Sequence, residues 1–346
     1  MASNKSSGTN LGHVVQIDER YFGERKYNRG SVMEYQQWIF GGNDTTAKKC
    51  FLAPVDQRDR ATLIRYCTTI HFKRKTNEVK NATLTTLNLE HSEIGDVGAH
   101  HLADVLRTNT TLTTLNLSFN QIEAVGARHI ADALRNNTVL TTLNLDVNEI
   151  GEVGAQHIGY ALQNNRMLTT LNLSFNQIEA VGAQHIADAL RNNTILTTLI
   201  LGCNEIGAVG AEYLGNALRH NTTLTTLNLC ANKIGDLGAQ YLSDVLRTNT
   251  VLTTLSLYGN EIREVGAQHL ADVLRNNMTL ITLNLYGIEI GEVGAQHLAG
   301  VFRNNTTLTA FDLDCYRISS KLLNEIDMSI ESNKRAAKLQ MLASTI

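Results

Sequence analysis

A single pattern of hydrophobic positions recurs at a fixed spacing through most of the chain. Nine stretches close to LTTLNL each open with a leucine, and successive openings lie 28 residues apart with no insertion: Leu84, Leu112, Leu140, Leu168, Leu196, Leu224, Leu252, Leu280 and Leu308. The nine units cover residues 84–335. The units that open at Leu112 and Leu168 differ at only two of their 28 positions, which indicates recent duplication.

Each unit changes its hydrophobic period partway along. In the unit that opens at Leu112, Leu115 and Leu117 alternate with polar residues, as in a half-buried strand. After a polar turn, apolar residues recur at the i, i+3, i+4 and i+7 spacing of a buried helical stripe: Ala127, Ile130, Ala131 and Leu134. One strand and one helix cannot bury their apolar faces alone, so the units must stack on one another.

Two residue types mark the limits of each predicted helix. Gly126 lies near the start, where the lack of a side chain lets the backbone approach a neighbouring unit closely. Asn137 follows the end, where an asparagine can adopt a left-handed conformation and cap the last carbonyls. The pattern therefore predicts a helix between these two residue types in every unit.

The different thicknesses of strands and helices predict curvature. Neighbouring strands lie about 4.8 Å apart, whereas packed helices need roughly 8–10 Å. A stack that contains both must bend with its strands inside. We therefore predict an α/β solenoid, shaped like a horseshoe, with a concave parallel sheet and convex helices.

The words LTTLNLSFNQI and GARHIADALRNN resemble the leucine-rich repeat of the ribonuclease-inhibitor-like class. The same repeat class occurs in ribonuclease inhibitor, in the Ran GTPase-activating protein, in the sensor arms of NOD-like receptors and in bacterial effectors. The resemblance implies protein binding on the concave face or its rim. It does not choose among these roles, because one fold serves all of them.

The resemblance also implies a buried ladder of asparagines that bind loop backbone groups. The side chains expected to form it recur once per unit: Asn120, Asn148, Asn176, Asn204, Asn232 and Asn260. The first, eighth and ninth units depart from the pattern with Ser92, Ile288 and Tyr316. We interpret these departures as relaxed end units.

The segments outside the repeats predict caps. Residues 1–20 are rich in Ser, Asn and Gly, which favours disorder. Residues 21–83 hold many of the chain's aromatic residues and are interpreted as an N-terminal capping region, with a separate effector module as the alternative. Residues 336–346 are interpreted as a C-terminal helical cap that covers the open apolar end of the solenoid.

Composition and charge exclude several classes of partner. The chain has 30 Lys and Arg against 33 Asp and Glu, so its net charge of −3 argues against nucleic acid binding. No run approaches 18 apolar residues, which argues against a membrane span. The start shows no apolar core of a secretory signal, and the five cysteines form no CxxC pair. We therefore expect a cytoplasmic, monomeric protein with free thiols, and delivery into a host cell cannot be read from the sequence.

One column of histidines is the only feature that suggests a metal. Six of them share one repeat position: His101, His129, His157, His185, His269 and His297. Zinc needs nitrogens about 2.0–2.1 Å from one ion, whereas packed helices stand roughly 8–10 Å apart. A helical wheel also points this position away from the buried stripe. We therefore predict no metal site, no cofactor and no catalytic centre.

The most variable positions of the repeat are the two residues that directly follow each strand, which we call the rim positions. They run from Glu90-His91 and Ser118-Phe119 to Asp314-Cys315, whereas the strand threonines and asparagines repeat almost unchanged. Such variation marks sites that a ligand could shape, and drift at unconstrained loop positions is the alternative. Together with two neighbouring positions of the last unit, they supply the partner-binding candidates: Glu90, Phe119, Asp146, Phe175, Tyr258, Tyr286, Asp312, Asp314 and Tyr316.

The sequence as a whole predicts a non-enzymatic scaffold. It would bind a protein partner on the concave face or rim of the repeats. Two alternatives stay open, namely a GTPase-activating regulator resembling the Ran activator and a bacterial effector that acts in a host cell.

Overall fold

Strands and helices alternate from residue 84 onward in the computed structural model, which describes residues 84–314 and 317–343 in full and three earlier strands by their backbone. The strands are β1 His13–Gln16, β2 Trp38–Asp44, β3 Lys49–Val55, β4 Leu84–Asn88, β5 Thr114–Asn116, β6 Thr142–Asn144, β7 Thr170–Asn172, β8 Thr198–Ile200, β9 Thr226–Asn228, β10 Thr254–Ser256, β11 Thr282–Leu285 and β12 Ala310–Leu313. The helices are α1 Gly95–Leu106, α2 Ala124–Leu134, α3 Gly151–Asn164, α4 Glu179–Leu190, α5 Gly207–Leu218, α6 Gly235–Leu246, α7 Glu264–Leu274, α8 Gly291–Ala299 with a 3₁₀ turn at Gly300–Arg303, and α9 Ser320–Ala343.

The strands from β4 to β12 form one parallel sheet in strict chain order. Each residue pairs with its equivalent one repeat later, as Leu115 does with Leu143 and Thr114 does with Thr142. The 28-residue spacing therefore sets the register directly. This arrangement confirms the predicted α/β solenoid with a parallel sheet and a layer of helices.

The core lies between the sheet and the helices. The strand leucines and the apolar helical stripe are almost fully buried, as Leu115, Ile130 and Leu134 show in the second unit. Gly126 lies where a Cβ atom would stand 2.8 Å from Ile122 Cγ2 and 3.1 Å from Ala99 Cβ. A side chain does not fit at that distance, so the glycine allows α2 to approach α1 as closely as the sequence predicts.

Three strands extend the sheet beyond the first repeat. β1 pairs in parallel with β4 and antiparallel with β2, and β2 pairs with β3. β1 lies inside residues 1–20, which composition predicts to be disordered. The difference has a local cause, since β1 contains two adjacent valines, which favour strands, and the edge of β4 offers unpaired backbone groups. The rest of residues 1–83 lies outside the described residues, so the predicted capping role stays a prediction.

The last helix, α9, is continuous across the predicted boundary at residue 336. Its first half is anchored in the core by Leu322, Ile326 and Ile330. From residue 334 to residue 343 every side chain is exposed. The first half of α9 therefore packs on the core, and the described part of the predicted cap at 336–346 extends past it.

None of the helices in the described residues is long and apolar enough to cross a membrane.

Candidate protein-binding surface

The six asparagines of the predicted ladder all lie in the interior. Asn176 is fully buried, and its amide nitrogen donates to the carbonyls of Leu145, Leu173 and Ser174 at 2.8–3.0 Å. Its Oδ1 accepts a hydrogen bond from the Ile150 backbone nitrogen at 3.4 Å. One side chain thus forms hydrogen bonds with backbone groups of its own repeat and of the preceding repeat. We call this set the turn column.

A second column of buried asparagines lies at the helix ends. The Asn193 amide donates to the Leu162 carbonyl at 2.7 Å, and its Oδ1 accepts from the backbone nitrogens of Ile195 and Leu196. The equivalent Asn137 does the same with Leu106, and its backbone is not left-handed. The predicted capping of its own helix in a left-handed conformation was therefore wrong. The asparagine instead joins two consecutive repeats through the last carbonyl of the previous helix.

The uniform residues of the strands also have structural tasks. In six units the strand asparagine accepts a hydrogen bond from the loop that follows, as Asn116 Oδ1 does from the Ser118 backbone nitrogen at 3.0 Å. In the second to seventh units, the threonine before the strand donates to the equivalent threonine carbonyl of the previous repeat, as Thr141 does to Thr113 at 3.1 Å. These bonds explain why both residue types repeat while the rim positions do not.

The backbone at the second rim position is left-handed in every described repeat up to the eighth. Its φ is 58° at Phe119, 51° at Val147 and 53° at Phe175. For a residue with a side chain this conformation costs roughly 1–2 kcal/mol, and it is least favourable for bulky and β-branched residues. The seventh and eighth repeats carry the unstrained residue, glycine, at Gly259 and Gly287.

At the second rim position of the first four repeats, the side chains are partly or largely exposed. Phe119 is 39% exposed and Phe175 is 52% exposed. The Phe119 ring stacks on the ring of His91, one repeat earlier, with centroids 4.2 Å apart. Glu90 and Asp146 are half-buried. The phenylalanines therefore occupy a strained backbone without burying their rings.

Asp146 lies in an unfavourable place for a carboxylate. Its Oδ1 is buried and has no hydrogen-bond partner among the described residues. Burial raises the pKa of Asp146, and the negative charge of Glu90 raises it further. Both carboxylates belong to the predicted binding candidates, so a partner with donors could satisfy them.

The cysteines of the rim are not activated for chemistry. Burial raises the pKa of Cys203, and burial also raises the pKa of Cys230 to about 11. A thiol with a raised pKa is a poor nucleophile at neutral pH, because only the thiolate attacks. The two side chains contact each other and both are free thiols.

Two tyrosines dominate the last repeats. The rings of Tyr258 and Tyr286 are stacked, with centroids 5.8 Å apart and planes inclined by 5°. They are 42% and 51% exposed. Asp312 is exposed and Asp314 is half-buried, whereas Tyr316 lies outside the described residues.

A cleft of about 520 Å³ opens beside these tyrosines, and we call it the C-terminal cleft. It brings together Tyr258, Tyr286 and Asp312, which the sequence singles out, with Leu323, Ile326 and Asp327 of α9, which it does not. Sequence reasoning missed the helix residues because only the packing of α9 against the sheet places them there. In the sequence these three residues show only an i, i+3, i+4 spacing, which every other helix also has.

The histidine column, which the helical wheel points away from the buried stripe, lies half-buried on the helices. His100 precedes the first histidine of the column and lies on α1. Its Nδ1 is 3.4 Å from Nδ1 of His129 on α2. Burial lowers the pKa of His129, and the neighbouring His100 lowers it further. Within the described residues no group of three or more His, Cys, Asp or Glu side chains could hold a metal ion.

Seven segments of the chain match the family model described as "Leucine Rich repeat". They span residues 80–103, 108–131, 136–159, 164–187, 192–215, 220–243 and 248–271. Their starts lie 28 residues apart, from 80 to 108 and onward, which confirms the repeat period and the family resemblance. No curated protein sequence matches the chain.

Three solved structures are similar to parts of the chain. Leiomodin-1 Actin-Binding Site 2 is 17% identical over 56% of this chain and 98% of its own, with a TM-score of 0.38. The tropomodulin C-terminal domain of Caenorhabditis elegans is 14% identical over 46% of this chain and 98% of its own, with a TM-score of 0.43. The Rad7 and Elc1 complex of yeast gives 16% identity over 69% and 72%, with a TM-score of 0.41. At these scores the likenesses carry no inference about function.

Proposed function

We propose that this chain, a leucine-rich-repeat protein, is a scaffold that binds a protein partner through its rim positions and has no catalysis of its own. Leucine-rich repeats generally serve as non-enzymatic interaction surfaces. The observation that carries the proposal is the presence of exposed, bulky side chains on a left-handed backbone, as at Phe119 and Phe175.

The backbone strain at the rim brings no gain in folding stability, and this supports a binding role for the rim positions. A residue held in a sparsely populated backbone region lowers stability, and such residues concentrate at functional sites. Glycine at Gly259 and Gly287 shows that the repeat accepts the relaxed alternative. Phenylalanine in its place supplies an exposed aromatic ring, and aromatic side chains are the commonest energetic anchors of protein interfaces.

The proposal excludes the opposite face. The residues on the helix side vary less between units than the rim positions do. Their charges are largely paired locally, as in the Arg191–Asp188 pair at 3.8 Å. Pairs of this kind on an exposed helix contribute little to stability and offer no aromatic anchor.

The test is affinity capture with the full chain, followed by measurement with the purified partner. We expect Phe175→Ala combined with Tyr286→Ala to abolish capture of the partner, because both rings are removed from the rim. The matched control, His185→Ala combined with His269→Ala, removes two rings from the helix face and should leave capture unchanged. Loss of capture in the control alone would place the site on the helix face and refute the proposal.

We also propose that binding takes place in the cytoplasm. The proposal is supported by the thiols of Cys203 and Cys230, which lie in contact on adjacent repeats and are free. Adjacent thiols are kept reduced in that compartment and tend to be oxidised outside it. Alkylation of protein taken from its native source without reductant should label both cysteines, and a disulfide between them would contradict the proposal.

A further inference from the structure

The C-terminal cleft combines aromatic faces with uncompensated negative charge. Its walls are the stacked rings of Tyr258 and Tyr286, the buried Phe311 and the apolar side chains of α9. Its charged groups are the carboxylates of Asp312 and Asp327, and none of its lining residues is Lys, Arg or His. The cleft therefore presents one sign of charge beside an apolar surface.

The two carboxylates have no cation of their own among the residues that the structure describes. Neither Asp312 nor Asp327 takes part in an ion pair there, whereas exposed carboxylates on the helix face pair with arginines three residues later. Asp327 is held at the cleft because its neighbour Ile326 is buried in the core. The rigid part of α9 thus fixes one carboxylate opposite the sheet, which supplies the other.

We propose, on the basis of the rim function above, that the C-terminal cleft takes a single lysine or arginine side chain of the protein partner. The aliphatic stem of that side chain lies against the tyrosine rings, and its charged head reaches Asp312 and Asp327. Lysine and arginine combine an apolar stem with a cationic end, and a cation near the face of a tyrosine ring is attracted by the ring as well.

Other occupants fit the cleft less well. A purely apolar side chain would remove Asp312 and Asp327 from water without a partner, which is costly for carboxylates. An acidic side chain would be repelled by both of them. A cationic side chain satisfies the carboxylates and uses the exposed ring faces, so charge complementarity selects it.

The experiment uses the full chain labelled with 3-fluorotyrosine and observed by fluorine NMR. The probes are three blocked tripeptides, acetyl-Gly-Xaa-Gly-amide, in which Xaa is arginine, norleucine or glutamate. The resonances of Tyr258 and Tyr286 are assigned with Tyr258→Phe and Tyr286→Phe. We expect the arginine peptide to shift both resonances with a dissociation constant near the millimolar range, on the order of −4 kcal/mol, and the other two peptides to bind at least about 10-fold more weakly, a difference of roughly 1.4 kcal/mol.

Charge variants separate the cleft from the general charge of the protein. Asp312→Asn combined with Asp327→Asn should weaken the arginine peptide about 10-fold, or roughly 1.4 kcal/mol, and leave the norleucine peptide unchanged. The control, Asp188→Asn combined with Asp272→Asn, makes the same change of charge on the helix face and should change neither. Equal shifts by all three peptides, or no effect of the cleft variant, would overturn the proposal.

The two proposals can fail separately. If the arginine peptide gives no selective shift but Tyr286→Ala still weakens binding of the captured partner, the cationic anchor is wrong and the rim function stands. If the peptide binds selectively but rim variants leave partner capture unchanged, the cleft is a cation site that the partner does not use, and the inference falls together with the rim function.

Discussion

Adjacent residues of each repeat behave in opposite ways, and Phe175 and Asn176 show the contrast most clearly. Asn176 is fully buried and bonded to three carbonyls, and its equivalents are asparagine in six units. Phe175 is half exposed on a left-handed backbone, and its position holds a different residue in most units. Residues that join one repeat to the next cannot vary without loss of stability. The side chain of Phe175 forms no such hydrogen bond to the neighbouring repeat, so its ring is available for recognition.

The largest expected effect is on the asparagine side of this comparison. Asn176→Ala should lower the free energy of unfolding by roughly 1–3 kcal/mol, because the buried Ile150 nitrogen loses its acceptor and the carbonyls of Leu145, Leu173 and Ser174 each lose one of their donors. The helix-end variant Asn193→Ala should behave similarly, since the Leu162 carbonyl and two backbone nitrogens lose their partner. Urea denaturation measures both.

The matched control is the neighbouring Asn192→Ala, which removes an exposed asparagine. Its free energy of unfolding should change by less than about 0.5 kcal/mol. A midpoint for Asn176→Ala equal to that of the parent would show that burial in the turn column does not contribute to stability.

The next effect concerns binding at the rim. Tyr258→Ala should weaken the affinity for the captured partner by about 2 kcal/mol, or roughly 30-fold, because an exposed aromatic anchor is lost. His185→Ala should be nearly neutral, since this histidine lies on the helix face. Calorimetry with the purified partner compares the two. Equal losses, or a loss for His185→Ala alone, would reverse the comparison between the two faces.

A smaller effect tests the backbone strain of the rim. Gly259→Ala should destabilise the protein by about 1 kcal/mol, because its φ of 65° penalises a Cβ atom although nothing lies closer than 3.9 Å. Val147→Gly should have the opposite sign and raise stability by up to about 1 kcal/mol. Thermal unfolding of the two variants measures the strain. If Val147→Gly lowered stability by as much as Gly259→Ala does, the rim backbone would not be strained at Val147.

The smallest effect depends on pH and involves Asp146. Burial raises the pKa of Asp146 in the folded protein above its unfolded value. The folded state therefore favours the protonated carboxyl, and this contribution is present at low pH and lost as the pH rises through the folded pKa. Asp146→Asn should be more stable than the parent at pH 7, and the difference should shrink as the pH is lowered through the folded pKa towards the unfolded pKa. Asp188→Asn makes the same change of charge on the helix face and is the matched control.

Much of the fold follows from local patterns in the sequence. The change from alternation at Leu115 and Leu117 to helical spacing predicts one strand and one helix per unit, and each described unit contains both. The 28-residue period also predicts which residues are neighbours, because a parallel register aligns equivalent residues of consecutive repeats. The stacking of Tyr258 on Tyr286 follows from that register.

Other features depend on contacts between segments that no local pattern describes. The hydrogen bond from Asn137 to the Leu106 carbonyl forms because the end of one helix packs against the turn of the next repeat. The 28-residue period predicts that such a bond recurs, but it does not predict that the bond forms. The approach of His100 to His129 results from side chains at different repeat positions, so a column of identical positions does not reveal it.

The sequence by itself determined the repeat, the order of its elements and the identity of the buried and rim positions, because all of these are set by the spacing of residues within one 28-residue unit. Only the tertiary structure decided the left-handed backbone at the rim and the composition of the C-terminal cleft. The cleft needs Asp312 from the sheet and Asp327 from α9 together in its lining. The physical reason is that the cleft depends on the packing of α9 on the core through Ile326 and Ile330, and the spacing of residues within one repeat does not encode a contact between two segments.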